Sequence, residues 1–438
     1  MKAETRRVVI TGLSVVAGNG RNKEEFLENS CKGVSGIRPC TLYPTEQLRT
    51  PYFGQVEIPL VYEAGSWDEE DRMEALMRIS LEQMYADAGY TREKMAEHGT
   101  KACLCLGSLL GSAGKILAFA KRESAGRETA GWLSHTVDYG SWLREKSGVR
   151  GGMYIDSAAC ASSTTAVGMA FDLIRNGLYD VALAGGADPL TEVSAYGFHA
   201  LQSLSQGVCS PFDQERDGIN IGEGAAFFLM ETLESARARN AHIYGEVLGY
   251  GLNNDAYHIT SPDPEGAGAA ASMERAIQNG GLKKDQVDYV NAHGTGTPVN
   301  DQMEVKAIGK VFGEAGGEMV QGQSAAADGE ADPETVSSRI RTVRVNSTKA
   351  LVGHCMGASG AVELAAVLLS MEKGSLFPMP NLKEALEVPE NVELCREETD
   401  GPVRYALSNS FAFAGNTASL LVGAPSEKPH SGYSVMSK

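Results

Sequence analysis

The chain has 438 residues, 42% of them hydrophobic and 22% charged, and a formal net charge of −17. That balance fits a globular protein with a large core and excludes ordinary nucleic-acid binding, which needs a basic face against the phosphates. No apolar run approaches the roughly 20 residues that span a bilayer. Its 50 glycines exceed the usual ~7%, which suits tight strand-to-helix turns and close backbone packing.

The opening, MKAETRRVVITGLSVVAGNG, sets basic residues before an apolar stretch. Thr11, Gly12 and Ser14 interrupt that stretch, so it reads as a strand over Arg7–Thr11 and a turn rather than a secretion signal. Further strands are expected at Ala102–Leu106, Met153–Asp156, Val181–Ala184, Ala225–Met230, Val287–Asn291, Val343–Asn346 and Tyr405–Ser408. Helical patterns cover Lys23–Cys31, Asp68–Ala88, Thr164–Arg175, Ala267–Asn279, Gln302–Val311 and Ala361–Glu372. Alternation of this kind predicts an α/β protein with largely parallel sheets. The eight cysteines form neither paired zinc knuckles nor a small disulfide scaffold, so reduced thiols in a cytoplasmic protein are expected.

Cys160 opens a helix rich in small residues that ends at Gly177, 17 positions on, and Gly357 opens another that ends at Gly374 at the same spacing. Two buried, equivalent helices would produce this echo. The segment Glu314–Arg341 is acidic and nearly free of large apolar residues, so it reads as a mobile insertion. The tail 426–438 is similarly uncommitted.

Four motifs carry chemistry. In MYIDSAACASSTTAVGMA a strand ends at Asp156 and Cys160 follows a turn of small residues at a helix start. There, free N–H groups and the dipole are expected to lower the thiol pKa and to hold an oxyanion. A buried structural cysteine is the bland alternative. In NAHGTGTPVND, His293 follows a strand end, where α/β enzymes build their sites, and Thr295 and Thr297 add hydroxyls. NSTKALVGHCMGASG carries Lys349 and His354 among glycines, with Cys355 as a rival nucleophile on paper. The order GxxxxGK[ST] of a phosphate loop is absent. In NSFAFAGNTASLLVG a strand closes into small residues around Phe411 and Phe413. A backbone N–H there could complete an oxyanion site, although Phe411 itself reads as core.

Together, in this order, these motifs resemble the β-ketoacyl-acyl-carrier-protein synthases, and the likeness runs from RRVVITGLSVV through SPFDQERDGINIGEGAAF to NSFAFAGNTAS. The branch is similar to the synthase II type of type II fatty acid synthesis and its polyketide relatives. The resemblance implies the thiolase fold, with two similar βαβαβαββ halves stacked in five α-β-α-β-α layers. A division at 1–250 and 251–425 would place the nucleophile in one half and the histidines and lysine in the other. By motif, Cys160 accepts the acyl chain, His293 and His354 stabilise the enolate from malonyl decarboxylation, and Lys349 supports the histidines. Cys160 and Phe413 N–H groups form the oxyanion hole, Thr295 and Thr297 line the pantetheine tunnel, and Glu363 has a supporting role. The resemblance further implies no metal or dissociable cofactor, substrates arriving on an acyl carrier protein, and a homodimer or a heterodimer with a related subunit.

The chain departs from the family pattern in four ways. Ala412 and Ala414 stand where glycine is common, the 314–341 insertion is extra, and 111–152 matches poorly. The acidic run WDEEDRME replaces basic residues that meet an acidic carrier in fatty-acid members. The rival readings are a thiolase, a non-catalytic chain-length-factor-like subunit and a cysteine hydrolase. A thiolase needs a second cysteine near the C-terminus, and Cys395 sits in no glycine turn. A chain-length factor lacks the nucleophile. A hydrolase uses a single base histidine.

Overall fold

The computed structural model describes residues 5–58, 71–126, 138–313 and 342–427. The expected insertion at 314–341, the tail beyond 427 and the first half of the acidic run, 67–70, lie outside these residues. The expected helices and strands are present within them, and three strands absent from the expectation, Gly245–Asn254, Asn416–Gly423 and the edge strand Val392–Leu394, complete the large sheet. The opening segment is a buried strand, Val8–Ala17.

Five strands run in the spatial order Met153–Asp156, Ala102–Gly107, Val181–Asp188, Gly224–Thr232, Val8–Ala17. A second set repeats this order as Val343–Asn346, Tyr289–Asn291, Tyr405–Phe411, Asn416–Gly423, Gly245–Asn254, with Val392–Leu394 added at its edge. In each set the first three strands are mutually parallel and the remaining pairings are antiparallel. Numbered by chain position within its own set, each reads 3-2-4-5-1, the doubled arrangement expected of the thiolase fold. The sets are not wholly separate. Val8–Ile10 pairs with Gly245–Val247, so hydrogen bonds join all eleven strands into one order. Because Gly245–Asn254 opens the second set, residue 250 falls inside a strand.

Between the sheets lie the helices Ser162–Arg175 and Ser359–Lys373, packed on one another. Thirteen of the fifteen residues in the second are buried. Arg72–Ala88 covers the outer face of the first set and Ala267–Asn279 that of the second. Small residues make this stacking possible. A Cβ on Gly249 or Gly251 would fall 2.1 or 2.0 Å from a carbonyl oxygen of the 267–279 helix. Burying both faces of each sheet favours the apolar runs seen in Ala102–Gly107 and Val181–Asp188.

Candidate active site

The two central helices point their starts at the same region. Each begins with a short 3-10 turn, Ala159–Ala161 before one and Met356–Ala358 before the other. Cys160 sits in the first turn. From the second set, the end of strand Tyr289–Asn291 delivers His293, and the segment before the second turn delivers His354. The thiol sulfur and one nitrogen of each ring lie within 4.8 Å of one another, and all three residues are buried. The rings meet edge to face, centroids 5.3 Å apart at 85°. They line a cavity of about 330 Å³ together with Cys160, Thr295, Thr297 and Phe413.

Each piece is held by backbone. His354 exchanges main-chain bonds with Asn220 and Gly222, at 2.7 and 2.8 Å. Gly353 precedes it at φ 77°, a conformation that favours glycine, and a Cβ there would lie 2.9 Å from the Asn220 oxygen. The His293–Thr297 loop is shaped from below by two carboxylates on the helix Pro298–Gly313. Glu304 accepts from His293 N and Gly294 N at 2.8 and 2.7 Å, and Asp301 accepts from Thr295 N at 3.0 Å. Sequence reasoning did not single out this pair. Its signal is the D-x-x-E spacing just after the GTGT loop, which puts both on one helix face.

Lys349 is 1% exposed. Its Nζ meets three acceptors: Glu363 Oε1, the His293 carbonyl at 2.5 Å and His293 Nδ1 at 3.2 Å. An ammonium has three protons to give, so all three are placed. Burial pushes the Glu363 carboxyl up to about 7, against the pull of Lys349. Both imidazoles are held well below the usual histidine value, first by burial and then by the Lys349 charge. They are therefore neutral at pH 7.

The tautomers follow from the partners. Met356 N–H donates to His354 Nδ1 at 3.0 Å, and Lys349 donates to His293 Nδ1. Each ring then carries its proton on Nε2, as a donor. This also bears on metal binding, since a cysteine and two histidines this close are a donor set zinc accepts. Metal-bound histidines donate their second nitrogen to an acceptor. Here both second nitrogens accept hydrogen bonds instead, so the surroundings fit hydrogen-bond donors rather than ligands.

One electrostatic expectation is corrected. The helix start was to lower the Cys160 pKa, but burial pushes the thiol up to about 12, with Lys349 opposing. The sulfur is buried, so a thiolate there would lose much of its solvation. Neither Cys160 N–H nor Phe413 N–H has an acceptor on another residue among the described residues, so both remain available to an oxyanion. Phe413 stacks on Phe198 at the cavity mouth, centroids 5.8 Å apart, and Ala414 beside it adopts φ 61°. Phe411, expected as core, is buried but also lines the cavity, 6.1 Å from the His293 ring. Thr295 and Thr297 join hydroxyls at 2.9 Å. Cys355 stays out of the cavity, its sulfur on the Glu223 carbonyl at 3.4 Å. Cys395 is buried in the core and does not line the cavity.

Comparison with known proteins places this geometry. Residues 5–236 match the beta-ketoacyl synthase N-terminal domain, and 244–325 and 330–383 match its C-terminal domain. The chain belongs to the β-ketoacyl synthase family. It is 31% identical to the 3-oxoacyl-[acyl-carrier-protein] synthase 2 of Staphylococcus aureus, over 96% of this chain and 98% of that one. It is 33% identical to the chloroplastic synthase II of Arabidopsis thaliana, over 95% of this chain and 76% of that one. Among solved structures, the ishigamide ketosynthase/chain length factor superposes with a TM-score of 0.83 at 30% identity, covering 97% of this chain and all of that one. A ketosynthase of a type II polyketide system, solved with its acyl-carrier protein, superposes at 0.82 and 26% identity, covering 96% and 100%. Among the described residues, no helix is long and apolar enough to cross a membrane.

Proposed function

We propose that this ketosynthase elongates acyl chains by decarboxylative Claisen condensation, and that Cys160 is its nucleophile. One observation carries the reading: two neutral Nε2–H imidazoles and a thiol share one buried cavity, with unclaimed backbone N–H groups beside the thiol. In the first step the Cys160 sulfur attacks a carrier-bound thioester. Its proton passes to the departing carrier thiol, and the tetrahedral oxyanion rests on the N–H groups of Cys160 and Phe413. Holding the thiol protonated at rest suits this exchange, because one thiol proton leaves as another thiol is released.

In the second step a malonyl thioester loses carbon dioxide. The electron pair of the breaking C–C bond becomes an enolate, whose oxygen accepts hydrogen bonds from His293 and His354. The enolate carbon then attacks the acyl-Cys160 carbonyl, and the adduct's oxyanion rests on the N–H groups of Cys160 and Phe413. Its collapse expels the Cys160 thiolate, which takes one proton from solvent to regain the resting thiol. Lys349, fixed by Glu363, keeps a second proton off the histidines. Decarboxylation itself needs no general base. Thr295 and Thr297, at the cavity wall, bind the pantetheine arm.

The thiolase reading lacks its second cysteine, since Cys395 is core. A chain-length-factor role would waste the arrangement at Cys160. The hydrolase reading needs a carboxylate or amide orienting the base, whereas protons are donated to both Nδ1 atoms. The exposed edge strand Met153–Asp156, with Ile155 at 41% exposure, supports pairing with a second copy or a related subunit. All eight cysteines are free thiols, which supports a reducing, cytoplasmic setting.

The carrier is proposed to be a dedicated one, less acidic than a generic fatty-acid carrier. Arg72, the base in the acidic run, is committed to Glu223 inside the fold. An alternative basic face would be Lys115, Lys121, Arg122 and Arg127. Lys115 and Lys121 pair with Glu74 and Glu192, Arg122 is also engaged, and Arg127 lies outside the described residues. The test loads the protein with acyl carrier, locates the acyl mass by peptide mass spectrometry, and measures carbon dioxide release from malonyl carrier. Acyl mass on a cysteine other than Cys160, or condensation without a covalent intermediate, would refute the reading.

A further inference from the structure

Ser162 and Ser359 stand at the same place, each the first residue of its central helix. Their hydroxyls are used differently. Ser162 Oγ donates back to the Ala159 carbonyl at 2.6 Å, the local bond usual for a serine in such a position. Ser359 Oγ instead lies 3.2 Å from His354 Nδ1. Both residues are nearly solvent-free, Ser359 at 2% and His354 at 3% exposure, so water does not readily substitute for the hydroxyl.

Met356 N–H already donates to that nitrogen at 3.0 Å. Nδ1 is therefore an acceptor, and the serine can only be a second donor to it. We infer that Ser359 is a positioning residue for His354: its hydroxyl and the Met356 N–H grip the Nδ1 edge together, holding the ring plane and the proton on Nε2. The inference rests on the reading of His354 as a donor to the enolate oxygen.

The surroundings leave this task to neutral groups. Lys349, His293 and Cys160 face His354 across the cluster, and among the described residues none of the three hydrogen-bonds to its Nδ1. Three carboxylates lie near its turn, and each is already engaged. Asp188 accepts from Gly357 N–H and the 108–110 segment, Glu223 holds Arg72, and Glu363 holds Lys349. Among the described residues no carboxylate bonds to the ring, in contrast to the carboxylate–histidine pairs that raise basicity. Two neutral donors on Nδ1 act in the other direction. They lower the basicity of that nitrogen and sharpen the Nε2 proton as a donor.

The test compares Ser359→Ala, Ser359→Thr and His354→Ala in the full chain. Ser359→Ala is expected to acylate Cys160 within about twofold of the parent and to lose about fivefold in malonyl-carrier decarboxylation, the effect of one neutral hydrogen bond. In protein with ¹⁵N-labelled histidine, the His354 signals, assigned by their loss in His354→Ala, should shift toward Nδ1 protonation. Ser359→Thr, which keeps the hydroxyl, should restore both readouts. Unchanged decarboxylation and ¹⁵N shifts in Ser359→Ala would overturn the inference. So would acylation and decarboxylation falling together with melting temperature, since that marks a packing role. If His354→Ala itself decarboxylates at the parental rate, the reading of His354 fails as well. If His354→Ala is inactive and only Ser359→Ala is silent, this inference alone fails.

Discussion

The two turns that open the central helices have nearly the same backbone and opposite uses. Ala159 and Met356 sit at φ 51° and 50°, the serines that follow the turns at −53° and −50°, and the closing glycines Gly177 and Gly374 at 76° and 74°. Between these landmarks, one turn carries Cys160 and the other Gly357. A Cβ on Gly357 would lie 2.5 Å from Leu109 N and 2.7 Å from Asp188 Oδ2. Its N–H is taken by the same carboxylate at 2.6 Å, whereas the Cys160 N–H has no acceptor on another residue among the described residues. The backbone alone therefore does not make a catalytic turn. What differs is whether a carboxylate or a cavity lies opposite it. The second turn is spent on support, since its Met356 N–H fixes the His354 ring.

The largest expected effect comes from making the first turn like the second. Cys160→Gly should lose at least about 10³-fold in condensation, as removal of a covalent nucleophile does, with no acyl mass on the protein. Next are the histidines. His293→Ala and His354→Ala should each lower carbon dioxide release by about 10²–10³, the cost of one oxyanion donor, while Cys160 still loads. A variant that decarboxylates but cannot load would exchange the proposed roles of the two turns.

Much of this comparison was legible before the structure. The echo of Cys160–Gly177 in Gly357–Gly374 is realised as the paired helices, and the strand ends that carry Cys160 and His293 lie where the motifs put them. The misses have physical causes. Strand Gly245–Asn254 contains Gly245, Gly249 and Gly251, so it lacks the β-branched pattern. The glycines serve the helix packed against it, which no local signal reports. Asn416–Gly423 begins as NTAS and resembles a turn until its partner 405–411 is in place. The Cys160 pKa was misread because helix-start logic is local, whereas burial is a property of the whole fold. Asp301, Glu304 and Asp188 hold loops through backbone N–H groups. That role depends on distant chain segments meeting.

A smaller effect tests the empty side of the comparison. Gly357→Ala forces a methyl group against backbone and Asp188 in a packed interior, so a destabilisation of about 1–3 kcal/mol is expected, read as a lower unfolding midpoint in urea. Activity per folded molecule should fall too, because Met356 N–H would shift from His354 Nδ1. Full stability in Gly357→Ala would mean that the second turn has slack and that its glycine is not fixed by Asp188.

The smallest effect expected is with pH, and it asks whether the cluster stays dry. A histidine at its ordinary value of about 6.5 would be roughly three-quarters protonated at pH 6. Burial and Lys349 hold His293 and His354 well below that value, so protonation waits for more acid conditions and both Nε2–H donors persist. Of the carboxylates beside the His293 loop and Lys349, Glu304 and Glu363 are each pushed up to about 7 by burial and titrate in this range. Glu304 is anchored by two backbone N–H groups and Glu363 by Lys349, so protonation at one oxygen leaves the other as an acceptor. Decarboxylation measured apart from acylation should therefore fall by no more than about threefold from pH 8 to pH 6, a change of under 1 kcal/mol in barrier. A fall approaching tenfold per unit below pH 6.5 would show that an imidazole titrates as if in water. The neutral-donor division between the two turns would then not hold.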